Sequence, residues 1–463
     1  MIVSIMRLMV GVSILLMSVN PQCVPVLETA PKIQATKTPY EYLANNNISN
    51  GALPGCETKQ IWMVTRHGTR YPSVDGLNIL NERLPVIVDA LQTHLNQGLG
   101  DLCPETLTAL KSTLPALTLD NKKKLHPEGE LEMIALGERF QMRFPDLLNN
   151  YQDPLAYKFR STVLQRAQQS QFHFAIGLFE RPIAQKIQYE TPITPHDPLL
   201  RFYKICDRWL NEVKLNPESL REFNLFQDSE FFSQNVIQPL STRLGYQRSL
   251  TKKEVEEFYL ACQFGQAWQP RRPSPWCSIF EPNELEILEY REDLEYYWID
   301  GYGKDINHKP ACVLFKDLLE NFSNLTKGVD SEERAIFYFS HAGLLMKFLC
   351  FLGLNQDAEP LLHNNFEAMK QRQYRTSQNV PFGANVAFVI QECSNENNYK
   401  VGMFLNEKLT QIPGCNQEWC DYSTFVDLHR EEMSRCDFSA ICDLETGEKA
   451  SSHLRDRASD DRF

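Results

Sequence analysis

Two arginines flank a histidine in the segment Val64–Pro72, which reads Val-Thr-Arg-His-Gly-Thr-Arg-Tyr-Pro and contains Arg66, His67 and Arg70. Guanidinium groups bind phosphate through paired hydrogen bonds. Neighbouring positive charge lowers the pKa of a histidine and keeps its ring neutral and nucleophilic. Gly68 lets the backbone approach a ligand closely. Because the segment follows an apolar run, it predicts an anion site with a nucleophile at a strand end; a solvated arginine turn beside a core histidine is the alternative.

Four short apolar runs end abruptly in polar residues, as buried strands of an α/β sheet do at their carboxyl ends. Stretches of helical composition lie between these runs, and one of them is so apolar that it suits a helix buried against a sheet. The pattern therefore predicts an α/β fold. The predicted strands are Gln60–Thr65, Tyr157–Phe159, Ala335–Ser340 and Asn385–Ile390, and the predicted helices are Leu125–Phe144, Leu164–Phe179 and Leu344–Leu352.

Residues 200–310 show helical patterns and few strand candidates. Thr251 and Glu254 form a capping box followed by apolar residues at helical spacing, and a second helix is predicted over Asn283–Trp298. We interpret this region as a helical insertion. The predicted organisation is a signal peptide over 1–23, an α/β catalytic domain over 24–199 and 311–442, the α-helical insertion over 200–310, and a mobile charged tail over 443–463.

The heptapeptide Arg-His-Gly-x-Arg-x-Pro resembles the mark of the histidine acid phosphatases, and its Thr-Arg-Tyr-Pro continuation is similar to the multiple inositol polyphosphate phosphatase branch, which is related to phytases. The resemblance covers about residues 50–425. It implies a three-layer α/β sandwich with a helical cap, as in the phosphoglycerate mutase-like folds. Further matching segments are Leu125–Gly129, Arg160–Thr162, Leu199–Phe202, Ser274–Cys277, Tyr296–Trp298, Gly301–Asn307 and Pro381–Asn385.

The resemblance implies a role for each matching residue. His67 would attack phosphorus and form a phosphohistidine, while Arg66 and Arg70 would hold the phosphoryl oxygens, where charge must be stabilised in the transition state. The second family histidine matches His341, which would also contact the phosphoryl group. A third arginine is expected at the start of the helix after the second strand; Arg166 occupies that place, with Arg160 as a supporting or structural neighbour.

The sequence departs from the family directly after His341. The family has Asp there, or Ala-Glu in the inositol polyphosphate branch, whereas this chain has Ala-Gly, so Gly343 stands at a lost proton-donor position. A positioned general acid is typically worth about 10²–10⁴ in rate. The change puts efficient hydrolysis of inositol phosphates in question, although phosphate binding and phosphorylation of His67 by an activated ester do not require the acid. The pair His196-Asp197 is interpreted as a turn element rather than a displaced donor.

A polyphosphorylated inositol needs more cations than one phosphoryl group does. Lys304 and Arg160 are candidates for the substrate pocket, and so is the pair Arg271-Arg272; a solvated surface is the alternative for Lys304 and for the arginine pair. An acidic cluster between Glu284 and Glu295 is interpreted as the solvated face of a helix.

Composition restricts the partners and the compartment. The chain has 463 residues and a formal net charge of −12, which argues against a general nucleic-acid binder. Arg7 precedes an apolar run that is too short to span a bilayer comfortably, as in a cleaved signal peptide; an uncleaved anchor is the alternative. The predicted location is the secretory pathway, with export from the cell favoured over the ER lumen or the lysosome. Sequons at Asn47, Asn321 and Asn324 fit a glycoprotein.

The cysteines point to an oxidising compartment. Thirteen are present, and cleavage after Cys23 would leave an even twelve for disulfides. Cys415 and Cys420 are predicted to staple a small loop. The spacing contains no Cys-x-x-Cys pair or zinc-type Cys/His ladder, so no structural metal is predicted.

Two functional hypotheses follow. The first is a secreted phosphomonoesterase with a covalent His67 intermediate and no metal or other cofactor, acting on small phosphorylated molecules such as phytate-type inositol polyphosphates or 2,3-bisphosphoglycerate; a general acid phosphatase is the alternative within that class. The second is a pseudophosphatase that keeps an anion site, which Gly343 favours and the intact nucleophile disfavours.

Overall fold

A mixed seven-stranded sheet forms the centre of the protein. The computed structural model describes residues 23–114, 116–148, 156–329, 333–394 and 398–444. The strand order is β2-β3-β1-β4-β5-β6, with β7 also pairing with β5. Strands β1, β2 and β3 are mutually parallel, and β4 and β5 continue the sheet in antiparallel fashion. The strands are β1 Cys56–Arg66, β2 Tyr157–Ser161, β3 Ala335–Ser340, β4 Asn385–Cys393, β5 Asn398–Leu405, β6 Lys408–Thr410 and β7 Trp419–Asp421.

Side chains of β1 alternate between two hydrophobic cores, because successive residues of a strand point to opposite faces of the sheet. Trp62 and Val64 belong to one core, and Ile61 and Met63 belong to the other. Helices cover both faces, so the architecture is the three-layer α/β sandwich that the resemblance implies. All four strands predicted from the sequence are confirmed.

The longer helices account for most of the two outer layers. Each predicted helix is confirmed to within a few residues, and Thr251 caps its helix by accepting from the backbone N–H of Glu254. These helices are α1 Leu84–Asn96, α2 Pro104–Ser112, α3 Pro127–Arg143, α4 Gln165–Phe179, α5 Arg221–Gln227, α6 Lys252–Trp268, α7 Pro282–Ile299, α8 Cys312–Thr326, α9 Ala342–Phe351 and α10 Tyr422–Leu428. Shorter α-helices are Val74–Asn78, Pro145–Leu148, Arg181–Ala184, Asp207–Trp209, Glu230–Phe232, Gln238–Arg243, Asp305–His308, Thr376–Asn379, Arg430–Ser434 and Phe438–Cys442.

Residues 200–310, all of which the structure describes, contain helices and no strand. Their apolar side chains share a core with one face of the sheet: Phe258 and Leu288 belong to the same cluster as Trp62. The helical region therefore packs directly against the layer that carries the heptapeptide. No helix in the described part of the chain is long and apolar enough to cross a membrane.

The disulfides correct the cysteine count expected from the sequence. Cys23 pairs with Cys103, and the buried Cys350 is the cysteine left unpaired. The paired set therefore includes Cys23 and excludes Cys350, which differs from the even twelve counted after Cys23. The stapled loop Cys415–Cys420 is confirmed. The predicted signal segment lies outside the described residues except for Cys23, and the tail lies outside them beyond residue 444.

The three sequons lie on two parts of the fold. Asn47 is exposed in the segment before β1, and Asn324 is exposed on α8. Asn321 is half-buried on the same helix, where its amide donates to the carbonyl oxygen of Asp317 at 2.7 Å.

Four of the six carboxylates in the acidic cluster of α7 are buried, and Glu286 and Glu295 are partly exposed, which corrects the interpretation of the cluster as a solvated face. Glu289 and Asp293 are fully buried, and both form ion pairs with Arg372. Glu292 accepts from the Lys37 ammonium at 2.8 Å. Cations from segments distant in sequence therefore neutralise these carboxylates, and nothing in the local spacing of α7 indicates them.

Candidate active site

His67 follows the last residue of β1 and is held in one tautomer. Its Nδ1 lies 2.8 Å from the carbonyl oxygen of Gly68. Because a carbonyl can only accept, Nδ1 carries the proton and Nε2 carries the lone pair. Burial, reinforced by Arg166 and Arg66, lowers the pKa of His67 well below 6.5. The ring is therefore a neutral nucleophile even in mildly acidic solution.

The backbone around Gly68 is packed against the start of α3. A Cβ atom on Gly68 would lie 2.6 Å from the carbonyl oxygen of Gly129, and one on Gly129 would lie 2.1 Å from the carbonyl oxygen of Thr69. No side chain fits at either position, so glycine is required at this close approach. The Gly68 N–H also donates to Ser170 Oγ at 3.1 Å, which ties the loop to α4.

A buried carboxylate fixes the next residue of the loop. Glu132 on α3 accepts from the Thr69 N–H at 2.7 Å and from the Thr69 hydroxyl at 2.9 Å. It also accepts from the backbone N–H of Tyr40 at 3.1 Å. Burial raises the pKa of Glu132 to about 7, while these hydrogen bonds oppose the shift. The heptapeptide is thus anchored to one layer of the sandwich before any ligand binds.

His341 lies beside His67 because their strands are parallel neighbours. The His67 N–H donates to the carbonyl oxygen of Ser340 at 3.0 Å, across the carboxyl ends of β1 and β3. His341 is the next residue and precedes α9. The centres of the two imidazole rings are 5.4 Å apart, and His341 Nε2 lies 3.0 Å from the Thr162 hydroxyl. The sheet topology therefore brings together two histidines that are far apart in sequence.

Three arginines surround the histidine pair. Arg66 donates from Nη1 to the carbonyl oxygens of Thr36 and Val380, at 2.6 and 2.5 Å. Its guanidinium carbon lies 4.3 Å from the centre of the Phe382 ring. Burial lowers the pKa of Arg66 to about 10, so the group stays charged in acidic and neutral solution.

Arg70 and Arg166 line the same pocket as Arg66. The carbonyl oxygen of Arg70 accepts from the Trp268 indole N–H at 3.2 Å, which links the heptapeptide to α6 of the helical region. Arg166 is the second residue of α4 and lines the pocket with the other two arginines. The arrangement places three guanidinium groups around one small volume, as binding of a phosphoryl group requires.

The pocket formed by these residues encloses about 730 Å³, including the part open to solvent. Its far wall comes from the helical region and from the start of α9. The remaining lining residues are Tyr203, Trp209, Lys214, Glu295, Tyr296, Ile299, Asp300, Ala342 and Gly343.

Sequence reasoning missed the ionisable groups of that far wall. Lys214 follows no recognisable motif. Glu295 and Asp300 lie near the end of α7. They precede the matching Gly-Tyr-Gly-Lys-Asp-Ile-Asn segment, and this proximity is the sequence feature that could have indicated them. Burial raises the pKa of Glu295.

Arg160 and Lys304 are not among the residues that line this pocket. Arg160 forms two hydrogen bonds of 2.8 Å with the buried Asp197, and Asp197 also accepts from the backbone N–H groups of Leu199 and Leu200. Lys304 donates to the carbonyl oxygen of Glu212 at 2.8 Å. Arg160 is therefore engaged by the Asp197 carboxylate, and Lys304 by a backbone carbonyl oxygen. Asp197 itself belongs to a turn.

Arg271 is also distant from the pocket. It is exposed and pairs with Glu41, and Arg272 is exposed beside it. The pair lies on the solvated surface, the alternative considered for it.

Comparison with known proteins agrees with this geometry. The family model of the histidine phosphatase superfamily (branch 2) matches residues 57–406. Multiple inositol polyphosphate phosphatase 1 of Drosophila melanogaster is 30% identical over 405 residues, covering 86% of this chain and 84% of that protein. Its namesake in Gallus gallus is 30% identical over 431 residues, covering 88% and 92%.

Solved structures show the same fold at low sequence identity. The phosphate complex of Bifidobacterium longum multiple inositol polyphosphate phosphatase has a TM-score of 0.67 and 15% identity, covering 92% of this chain and all of that one. The phytase from D. castellii has a TM-score of 0.64 and 17% identity, covering 94% and 90%. The match to the family model over most of the chain, and the 30% identity to the two curated relatives, show that the chain belongs to branch 2 of the histidine phosphatase superfamily.

Proposed function

We propose that the protein hydrolyses phosphomonoesters of inositol polyphosphates through a phosphohistidine at His67. The observation that carries the proposal is the fixed tautomer of His67, whose Nε2 lone pair belongs to a pocket lined by Arg66, Arg70 and Arg166. Two relatives of 30% identity are named multiple inositol polyphosphate phosphatase, which supports the substrate class.

The chemistry begins with attack of His67 Nε2 on phosphorus. The three arginines stabilise the negative charge on the equatorial phosphoryl oxygens in the transition state. Because these cations are already in position, the site does not have to reorganise during the reaction. His341 contacts the same group from the neighbouring strand end. Water then hydrolyses the phosphohistidine and releases inorganic phosphate. Lys214 is a further cation of the pocket and is available to a second phosphate group of the substrate.

The test is a steady-state assay of the purified protein on p-nitrophenyl phosphate and inositol hexakisphosphate, with His67→Ala as the variant. We expect the wild type to cleave both esters and the variant to cleave neither. Acid-labile phosphate should be trapped on the wild type after rapid quenching and be absent from His67→Ala. Full activity of His67→Ala contradicts the proposal.

A second candidate function is phosphate-ligand binding without turnover, which Gly343 at the proton-donor position favours. In that case inositol hexakisphosphate binds, measured by calorimetry, while neither ester is hydrolysed. Cleavage of both esters by the wild type excludes this candidate.

We further propose that the protein acts in the secretory pathway or outside the cell. Six disulfides support an oxidising compartment. Exposed sequons at Asn47 and Asn324 are available for glycosylation. Immunoblotting of culture medium before and after glycosidase treatment tests both statements.

A further inference from the structure

We propose that Asp300 donates the proton to the leaving oxygen, replacing the acid that Gly343 lacks. This inference rests on the proposed function. A Cβ atom on Gly343 would lie 3.4 Å from Oδ1 and 3.5 Å from Oδ2 of Asp300. The carboxyl group of Asp300 therefore stands in van der Waals contact with the point from which a side chain at position 343 would extend.

Asp300 and Gly343 reach the site from different helices. Asp300 caps the C-terminal end of α7, where its N–H donates to the carbonyl oxygen of Tyr296 at 2.8 Å. Gly343 lies in the first turn of α9. The ends of these two helices meet at the pocket, and both residues line it together with His67 and His341.

A buried lysine holds the carboxyl group in place. Lys347 on α9 donates to Asp300 Oδ1 at 2.9 Å and to the carbonyl oxygen of Ile299 at 3.2 Å. Its ammonium lies 4.1 Å from the centre of the Trp209 ring. Because Lys347 is bonded to Oδ1, we assign the transferable proton to Oδ2 of Asp300.

Exposure distinguishes this pair from a buried structural ion pair. The Lys347 side chain is fully buried, whereas that of Asp300 is 13% exposed, and the pocket is where Asp300 meets solvent. A carboxylate at the C-terminal end of a helix faces the negative end of the helix dipole. Lys347 offsets that repulsion after the proton has left.

The Nε2–P bond forms on His67 while the P–O bond breaks, and its electron pair passes to the leaving oxygen, which takes the proton from Asp300 Oδ2. The alcohol departs and Asp300 becomes a carboxylate beside Lys347. In the second half, this carboxylate removes a proton from the attacking water, the P–N bond returns its electrons to Nε2, and phosphate leaves.

Glu295 is the rival acid of the same pocket. Burial raises its pKa, but the three atoms nearest to a Cβ at position 343 all belong to Asp300. Geometry therefore favours Asp300. A selective loss of activity in Glu295→Gln would reverse this assignment.

The test compares two esters of similar size whose leaving groups differ. Without a proton donor, benzyl phosphate must release an unstable alkoxide. p-Nitrophenyl phosphate releases a stable phenolate and needs no proton donor. A general acid contributes about 10²–10⁴-fold where the leaving group needs protonation. We expect Asp300→Asn to lower kcat/KM on benzyl phosphate by at least about 10²-fold and on p-nitrophenyl phosphate by less than about 10-fold. Asp305→Asn is the matched control, because Asp305 is exposed and pairs with Lys309.

Restoring an acid at position 343 gives an independent readout. Gly343→Glu in the Asp300→Asn background should recover most of the activity on benzyl phosphate. If Asp300→Asn does not fold because Lys347 loses its partner, the double variant Asp300→Asn with Lys347→Met removes both charges and should show the same selective loss.

Four outcomes overturn the assignment. Equal losses on the two esters would make Asp300 a structural residue. Selective loss in Glu295→Gln but not in Asp300→Asn would make Glu295 the acid. If the wild type cleaves neither ester, the proposed function fails as well, whereas a wild type that cleaves both while Asp300→Asn is unaffected refutes the role of Asp300 alone.

Discussion

His67 Nδ1 and the carbonyl oxygen of Gly68 are 2.8 Å apart, and this contact decides which ring nitrogen can react. The acceptor belongs to the adjacent residue, so the tautomer is set within the heptapeptide itself. α3 approaches this segment so closely that a side chain at position 68 would not fit. The backbone that sets the tautomer of His67 is thus packed directly against one helix.

The pH dependence of activity follows from the lowered pKa of His67. Burial and the neighbouring arginines favour the neutral ring, so the lone pair is lost only at a pH well below 6.5. We expect kcat/KM on p-nitrophenyl phosphate to show no loss attributable to His67 as the pH falls through 6.5. In Arg166→Met the pKa of His67 should rise towards 6.5, and the residual activity should disappear at a higher pH than in the wild type. A wild-type profile with an acid limb centred near 6.5 would contradict this account.

Arg166 and Arg160 should respond differently to replacement, because one lines the pocket and the other does not. Removing a donor to the transition-state oxygens costs about 10²–10³ in rate. We expect Arg166→Met to lower kcat/KM on p-nitrophenyl phosphate by that amount with little change in thermal stability.

Arg160→Met is the matched comparison. It leaves the buried Asp197 carboxylate without its bidentate partner, and breaking such a pair costs about 3–5 kcal/mol of unfolding free energy. Its melting temperature should fall while kcat/KM of the folded fraction changes little. Exchange of these two phenotypes would show that Arg160 is the phosphate ligand.

The strands and helices around the site could be predicted because their signals are local. The run Ala335–Ser340 is apolar throughout and ends at a polar residue, and the strand has those bounds. Thr251 and Glu254 mark a helix start by residue type alone. The nucleophile and the flanking arginines were also recognisable, because they lie in one short segment.

The far wall of the pocket could not be predicted, since its residues come together only through tertiary contacts. Asp300 reaches Lys347 across 47 residues of sequence, and no pattern in either helix indicates the pair. The burial of Glu289 likewise depends on Arg372 and Arg375, which follow α7 by many residues. Lys304 illustrates the reverse case, because a cation in a matching motif donates to a backbone carbonyl instead of lining the pocket.

The disulfide between Cys23 and Cys103 predicts where a leader can be removed. If the proposed signal peptide is removed, we expect cleavage before Cys23, since cleavage after it would leave Cys103 unpaired. We expect non-reducing peptide mapping of the secreted protein to yield a linked peptide containing Cys23 and Cys103, with Cys350 as the free thiol. A mature N-terminus beyond Cys23 would contradict the pairing. Cys350→Ala serves as the control, because it should leave that linked peptide unchanged.

Arg372 should be among the residues on which stability depends most. Its side chain is 2% exposed and pairs with the fully buried Glu289 and Asp293. Replacement by methionine keeps much of the apolar volume but leaves two buried carboxylates with one fewer cation. We expect Arg372→Met to lower the unfolding free energy by about 3–5 kcal/mol, measured by urea denaturation.

The loss in Arg372→Met should depend on pH in a defined direction. Burial raises the pKa of Asp293 to about 6, and Arg372 opposes that shift, so the pKa rises further in the variant. A carboxyl whose pKa is higher in the folded state stabilises the fold when protonated and less so as the pH rises through that pKa. The difference in unfolding free energy between Arg372→Met and the wild type should therefore be smaller at acidic than at neutral pH. Arg435→Met, which breaks the exposed pair with Glu431, should change stability little at either pH; equal losses in the two variants would mean that burial of the Arg372 network has no energetic consequence.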